Sequence, residues 1–282
     1  MNLIAIINDR KIRRLPLSNG IQEDLIKHYN GVKETFINDT LKVGFEGNYK
    51  CEDNEIYELK KFDLNNNIYN CDLNNVIFNN LITLNQIDNN DIENIKILIA
   101  VQDKYLIFQS MDNRKFIKPK SFLIFSNNTF NYEDKKGIKI DNNIDCIVDL
   151  NSKSLLFTSF HNASKIFNLS DIYREATKQE IDEFCKQKIF NGELKEENLT
   201  STIRKKIFLI SKNNILQYVK KNFQQVKNYA EELGIDCFKD EKIKFPEDKE
   251  GIKKLINFLN EDLYKSPISN TIYESNSKKK YN

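Results

Sequence analysis

Residues 201–230 carry Arg204, Lys205, Lys206, Lys212, Lys220, Lys221 and Lys227 and not one Asp or Glu. Acids crowd both flanks, with Asp171, Glu175, Glu180, Asp182, Glu183, Glu193, Glu196 and Glu197 before, and Glu231, Glu232, Asp236, Asp240 and Glu241 after. A stretch of one charge sign repels itself unless an anionic partner or the flanking carboxylates neutralise it. Facing outward, these cations would grip a polyanion such as DNA, each releasing counterions from phosphates without reading the bases. Asn213, Asn214, Gln217, Gln224 and Gln225 would add uncharged hydrogen bonds to phosphate oxygens. The alternative is a solvated helix face neutralised by the chain's own acids. Arg10, Lys11, Arg13 and Arg14 form a second basic cluster, for which a strand edge guarded against pairing is a further explanation. Net charge is only +2, so any affinity for nucleic acid must come from a local patch.

Bond-breaking chemistry has less to work with. Glu58-Leu59-Lys60 has the acid-x-Lys spacing that could hold a metal and a water-activating amine, with Asp53 and Glu55 nearby, but no Pro-Asp precedes it at a convincing distance. Asn260-Glu261-Asp262 offers either a metal site or, at a helix end before Ser-Pro, acids that are exposed or partner Lys and Arg. The two histidines, His28 and His161, lie more than a hundred residues apart, which leaves a Ser or Cys nucleophile without an evident base. No Gly-x-x-x-x-Gly-Lys-[Ser/Thr] loop occurs. No catalytic residue, metal ligand or cofactor is therefore assigned. The five cysteines form no Cys-x-x-Cys pair, and the chain opens without a leader-like segment, so reduced thiols in a cytosol are expected. Apolar runs such as Phe122–Phe125 fall far short of the roughly 18 residues expected of a membrane span.

The elements that must position these residues divide by period. From the start to about Leu169 short apolar runs alternate with polar turns: Leu3–Ile7, Ile95–Val101, Tyr105–Phe108, Ser121–Phe125, Thr129–Tyr132, Ile138–Ile140, Ile144–Val148 and Leu155–Phe160. Gln102-Asp103-Lys104 and Asn127-Asn128 read as hairpin turns, and a short helix is expected around Ile21 to Tyr29. After that, Ser170 or Asp171 is expected to cap a helix running toward Lys188, and a second begins near Thr200-Ser201. A third spans Asn214 to Leu233 before Gly234, with Leu216, Val219, Phe223, Val226, Ala230 and Leu233 on one stripe. That stripe fits a helix pair within the chain or a dimer seam. A last helix covers Glu247 to Leu263, then Ser266-Pro267 breaks it before a short recapped helix and a frayed tail from Lys278. The class is α+β, a strand-rich antiparallel half over residues 1–165 with a mainly helical half over residues 166–282. The Asn-rich stretches Asn65–Asn67, Asn89-Asn90 and Asn142-Asn143 are expected in loops.

The tail, with Asn260-Glu261-Asp262 before Leu263-x-x-Ser266 and then Ile268-Ser269-x-x-x-Tyr273 and Ser277-Lys278, resembles the closing motif of KwaB-like proteins. Gly137-Ile138-Lys139-Ile140-Asp141-Asn142-Asn143-Ile144-Asp145 is similar to that family's central pattern. Ser154–Phe157, Ala163–Phe167 and the helix from Tyr173 to Phe184 follow in the family's order, so the resemblance spans about residues 90 to 278. It implies the cytosolic component of the Kiwa anti-phage defence system of bacteria. Such proteins bind DNA with little sequence preference, form homodimers and dock on the membrane subunit KwaA. The resemblance further implies that binding, not hydrolysis, blocks phage DNA replication or transcription; the alternative is a metal-dependent nuclease.

Overall fold

A computed structural model describes residues 2–8, 10–47, 49–65, 71–77, 81–132, 134–275 and 277–279. Asn66 and Asn67, expected in a loop, and the last three residues of the tail, expected to fray, lie outside these. Two compact units form, Met1–Phe45 with Cys51–Leu169, and Glu46–Lys50 with Ser170–Asn282.

The first unit contains β1 (Asn2–Ile7), β2 (Ile12–Arg14), α1 (Asn19–Ile37), β3 (Leu41–Gly44), β4 (Glu55–Lys60), α2 (Leu73–Asn75), β5 (Ile95–Gln102) and β6 (Tyr105–Ser110). It continues through β7 (Phe116–Ile117), β8 (Leu123–Ser126), β9 (Thr129–Tyr132), β10 (Gly137–Ile138), β11 (Cys146–Asp149), β12 (Ser154–Phe157) and α3 (Phe160–Ala163). Eight of these strands form one sheet in the order β2-β1-β5-β6-β11-β12-β4-β3, antiparallel except between β3 and β4. Short two-residue turns explain that pattern, as in Asp103-Lys104, where Asp103 adopts φ 43 to let β5 fold back on β6. Leu3, Ala5, Leu98, Ala100, Ile107, Ile147 and Leu156 bury one face beneath Tyr29, Leu25 and Phe36 of α1. Ile4, Ile6, Ile99, Phe108 and Phe157 are buried on the other face, where the Phe108 and Phe62 rings meet Phe167 at 5.0 and 4.9 Å. Cover on both faces is why the strands read as continuous apolar runs rather than alternating ones. The basic run Arg10–Arg14 leads into and forms β2, an edge of this sheet.

Helix α1 runs 19 residues, continuing past the expected end near Tyr29 and through Gly31. An interior glycine costs roughly 1 kcal/mol against alanine; burial of Tyr29, Leu25, Phe36 and Ile37 outweighs that.

The second unit contains α4 (Lys178–Cys185), β13 (Phe190–Asn191), α5 (Ser201–Lys212), α6 (Ile215–Lys221), α7 (Phe223–Glu232), β14 (Phe238–Lys239), β15 (Lys242–Lys244), α8 (Lys249–Leu259), β16 (Leu263–Lys265) and β17 (Ile272–Glu274). Ile203, Ile207, Ile210, Ala230, Leu233, Ile243, Leu255 and Ile256 form its core. Helices thus dominate the C-terminal half, and the α+β class expected from the sequence holds.

Three helical expectations are corrected here. Residues 171–176 are not helical, because their backbone is tied to α5: Ala176 N–H donates to Arg204 O, and Lys212 Nζ donates to Ile172 O. Helix α4 instead starts at Lys178 on a Thr177/Glu180 capping box. The long helix from Asn214 to Leu233 is broken at Asn222, which leaves helical geometry at φ −118, ψ 33 while its side-chain amide donates to Tyr218 O. Its apolar stripe still packs inward, Val219, Ala230 and Leu233 within the core and Leu216, Phe223 and Val226 against it. Finally, Leu263–Lys265 and Ile272–Glu274 pair as an antiparallel hairpin, so no helix follows Ser266-Pro267. The Tyr264 and Tyr273 rings stack across it at 5.6 Å.

The α4 cap gives a first test. Arg174 holds the Glu180 carboxyl down at about 2 through a two-pronged hydrogen bond, Nη1 and Nη2 each 2.6 Å from one oxygen, aided by the N–H and hydroxyl of Thr177. A depressed carboxylate stabilises the fold above its ordinary value and loses that contribution as pH falls through the folded one. Glu180 is partly solvated, so Glu180→Gln should cost no more than about 1 kcal/mol at neutral pH. In thermal melts the difference from the parent should shrink from pH 4.5 toward pH 2.

Candidate nucleic-acid interface

The seven cations of residues 201–230 do not share one environment. On α5, Ile203, Ile207 and Ile210 anchor the inward face, and the turn that carries Lys206 directs it toward the end of α8. There Lys206 Nζ lies 2.8 Å from Asp262 Oδ2 and 2.7 Å from Asn257 Oδ1, with its side chain only 11% exposed. It is withdrawn from the expected outward surface because two polar groups of α8 and its exit enclose it. Arg204 Nη2 reaches Glu196 at 3.6 Å, and Lys227 reaches Glu231 at 3.7 Å one helical turn on. For these three, the chain's own carboxylates are the partners. Lys205 lies over the Tyr173 ring, at 5.9 Å from its centroid. Lys212 lies over Phe208, and burial holds its ammonium below the ordinary lysine range, with Asp171 acting in the opposite sense. Lys220 and Lys221, at the end of α6, are exposed and make no hydrogen bond or ion pair among the described residues.

Lys220 faces a groove of about 540 Å³ whose opposite wall follows α4 and carries Lys186, Gln187, Lys188 and Ile189, with Leu216 and Gln217 beside Lys220. Lys186 and Lys188 are exposed and likewise unpaired among the described residues. Glu183 is the acid on this lining, and it accepts a hydrogen bond from Gln179 Nε2 at 3.0 Å. Gln217 also borders a neighbouring hollow with Ser211 and Asn214, whose far side carries Glu180 and Glu183, so the run of donors ends there. Lys186 and Lys188 across from Lys220, with Gln187 and Gln217 beside them, suit the phosphates of a strand laid along the groove. Lys186 and Lys188 escaped the sequence reading because they follow Glu180, Asp182 and Glu183 in the chain. Glu180 is taken by Arg174 and Glu183 remains on the groove lining, an arrangement that no linear charge count reveals.

The motif acids have structural work. Asp262 is buried, its side chain 3% exposed, and takes Lys206 on one oxygen and Lys278 on the other at 3.0 Å. Asn260 Nδ2 adds a bond at 2.9 Å, and Lys278 also donates to Asn260 O. Asn257 bridges Lys206 to Glu274 of β17. Glu261 is thus the exposed acid of the motif and Asp262 the one that partners lysines, as expected of acids at this helix end, while Lys278 is held rather than frayed. Asn260, Asp262 and Lys278 clamp the closing hairpin onto α5 and α8. In the central pattern, Gln109 Nε2 donates to Asp141 Oδ1 and to the carbonyls of Asp141 and Asn143, while Asp145 accepts from Ser110 N–H. Tyr29 donates to Gln109 Oε1, and burial, assisted by the Asp141 charge, raises its phenol. These acids fasten the loop before β11 to the end of β6.

Glu58 and Lys60 do share a face of β4, and Glu58 meets both Lys60 and Lys42 at 3.7 Å. Glu55, at odd spacing, points to the other face and accepts from Glu52 N–H. Among the described residues no three His, Cys, Asp or Glu side chains come together as a metal site. His161 sits exposed on α3, and His28 packs edge-on to Tyr29 at 5.2 Å. All five cysteines are free thiols, and burial pushes those of Cys71, Cys146, Cys185 and Cys237 up. No helix among the described residues is long and apolar enough to cross a membrane.

Residues 89–269, well over half of the chain, match the family described as Kiwa protein KwaB-like. The chain belongs to the KwaB-like family. That membership makes it a component of Kiwa anti-phage defence. No curated protein and no solved structure matches it.

Proposed function

We propose that this chain is the DNA-binding effector of its Kiwa system, gripping duplex DNA with little regard to sequence and blocking phage replication or transcription without cutting the DNA. It works as a homodimer with the membrane subunit KwaA, at the inner face of the cell membrane. The observation that carries this is the groove between Lys186 and Lys188 on one side and Lys220 on the other, extended by Lys221, whose ammonium groups have no carboxylate partner among the described residues. Four such cations released from self-repulsion by phosphate give affinity that is electrostatic and sequence-independent.

Titrating the purified protein into two unrelated duplexes, each at two salt concentrations, tests it. Affinities should agree between sequences and fall steeply with salt. Strong preference for one duplex, or indifference to salt, would sink the proposal. Incubation with plasmid and magnesium or manganese should retard the DNA and leave it intact; cleavage would favour the nuclease that Glu58 and Lys60 keep in view.

A further inference from the structure

Among the described residues strands β8 and β9 pair only with each other, and Asn127 and Asn128 turn the chain between them at φ 52 and φ 59. Leu123 is opposite Tyr132 and Phe125 opposite Phe130, so these four side chains share one face. They are 56%, 63%, 60% and 65% exposed respectively, and the Phe125 and Phe130 rings touch at 5.0 Å. A two-stranded hairpin is marginal by itself in water, and one that spends four large apolar groups on solvent is built to be covered.

We propose that this hairpin lies flat on an anionic lipid surface, its aromatic face in the interfacial region. Lys118 and Lys120, just before β8, are exposed and unpaired among the described residues, which places positive charge beside the apolar face. Sequence around the hairpin adds Lys135 and Lys136 against Glu133 and Asp134, and Lys136 is engaged by Glu93 at 3.2 Å, so the net positive charge of the flanks comes chiefly from Lys118 and Lys120. Lysine stems beside aromatic rings match a bilayer interface, the ammonium meeting headgroup phosphate while the rings enter the acyl boundary. A second copy seated here is the poorer fit, since four partly covered side chains offer less than the roughly 800 Å² per partner of a stable interface. Polar Ser126, Asn127, Asn128 and Thr129 at the turn favour lying along the surface over piercing it.

The chain has no tryptophan, so Phe125→Trp gives a single optical reporter. Full-length F125W should shift its emission to shorter wavelength with vesicles of phosphatidylcholine and phosphatidylglycerol, and much less with phosphatidylcholine alone. In flotation, Phe125→Ser with Phe130→Ser should weaken vesicle binding at least ~10-fold. Lys118→Glu with Lys120→Glu should abolish the preference for anionic vesicles. Unchanged circular dichroism and DNA retardation in each variant separate this result from misfolding and from the DNA proposal. No emission shift with either vesicle, or a shift driven by protein concentration without lipid, overturns the inference, the latter in favour of self-association.

Discussion

Asp262→Ala is expected to destabilise the C-terminal unit by about 3–5 kcal/mol. The substitution strips the shared carboxylate from Lys206 and Lys278 and leaves the buried Lys206 ammonium with only Asn257 Oδ1. Removing one member of a buried ion pair is worse than never having had the pair, because the remaining charge cannot regain its water. Asp262→Asn should fall between, since it keeps volume and an acceptor but no charge. Pairing Asp262→Ala with Lys206→Met should recover part of the loss, and the double-mutant cycle gives the coupling. Urea midpoints measure the parent, Asp262→Ala, Asp262→Asn, Lys206→Met and the double variant. A loss below about 1 kcal/mol for Asp262→Ala would mean that the clamp is incidental. The same variant should expose the segment around Lys278 to trypsin, because that lysine is released from Asp262.

Reversing charge in the groove should leave stability nearly untouched and remove most DNA affinity. Lys186, Lys188, Lys220 and Lys221 are exposed and unpaired among the described residues, so Glu at each breaks no contact. Each lost phosphate contact lowers the salt slope by about 0.9, and each new carboxylate adds repulsion. The fourfold reversal is expected to weaken duplex binding by more than ~100-fold at low salt, with a melting temperature within about 2 °C of the parent. Reversing Arg204, Lys206 and Lys227 instead should cost stability first, because those cations face Glu196, Asp262 and Glu231.

The sheet was legible because its strands announce themselves by composition and turn chemistry: Ile95–Gln102, Asp103-Lys104 and Tyr105–Ser110 follow directly from apolar runs around a polar break. Helix starts were legible where a side chain supplies the cap, as Thr200 does for Ile203 N–H. What the residues alone hid was long-range. The refusal of 171–176 to be helical depends on α5, and the break at Asn222 depends on one amide choosing Tyr218 O. The closing hairpin was missed because Ser266-Pro267 reads equally as a helix break and as a hairpin loop. At the candidate site, the charge run includes the exposed Lys220 and Lys221, yet it could not separate them from Lys206. Seven like charges in sequence became three partnerships, two ring contacts and two open cations. Lys186 and Lys188 joined them only through folding, across a gap of more than thirty residues.

The most direct test of the DNA grip is the slope of log affinity against log salt for duplex DNA, measured on the parent, on Lys186→Glu with Lys220→Glu, and on Lys239→Glu with Lys242→Glu. The last pair lies on the exposed side of β14 and β15, and it changes net charge by the same amount. If the groove holds DNA, the first variant loses about two phosphate contacts' worth of slope and binds at least ~10-fold more weakly, while the control stays near the parent. Equal losses in both variants would show that only total charge matters, and an undiminished slope in the groove variant would contradict the site outright.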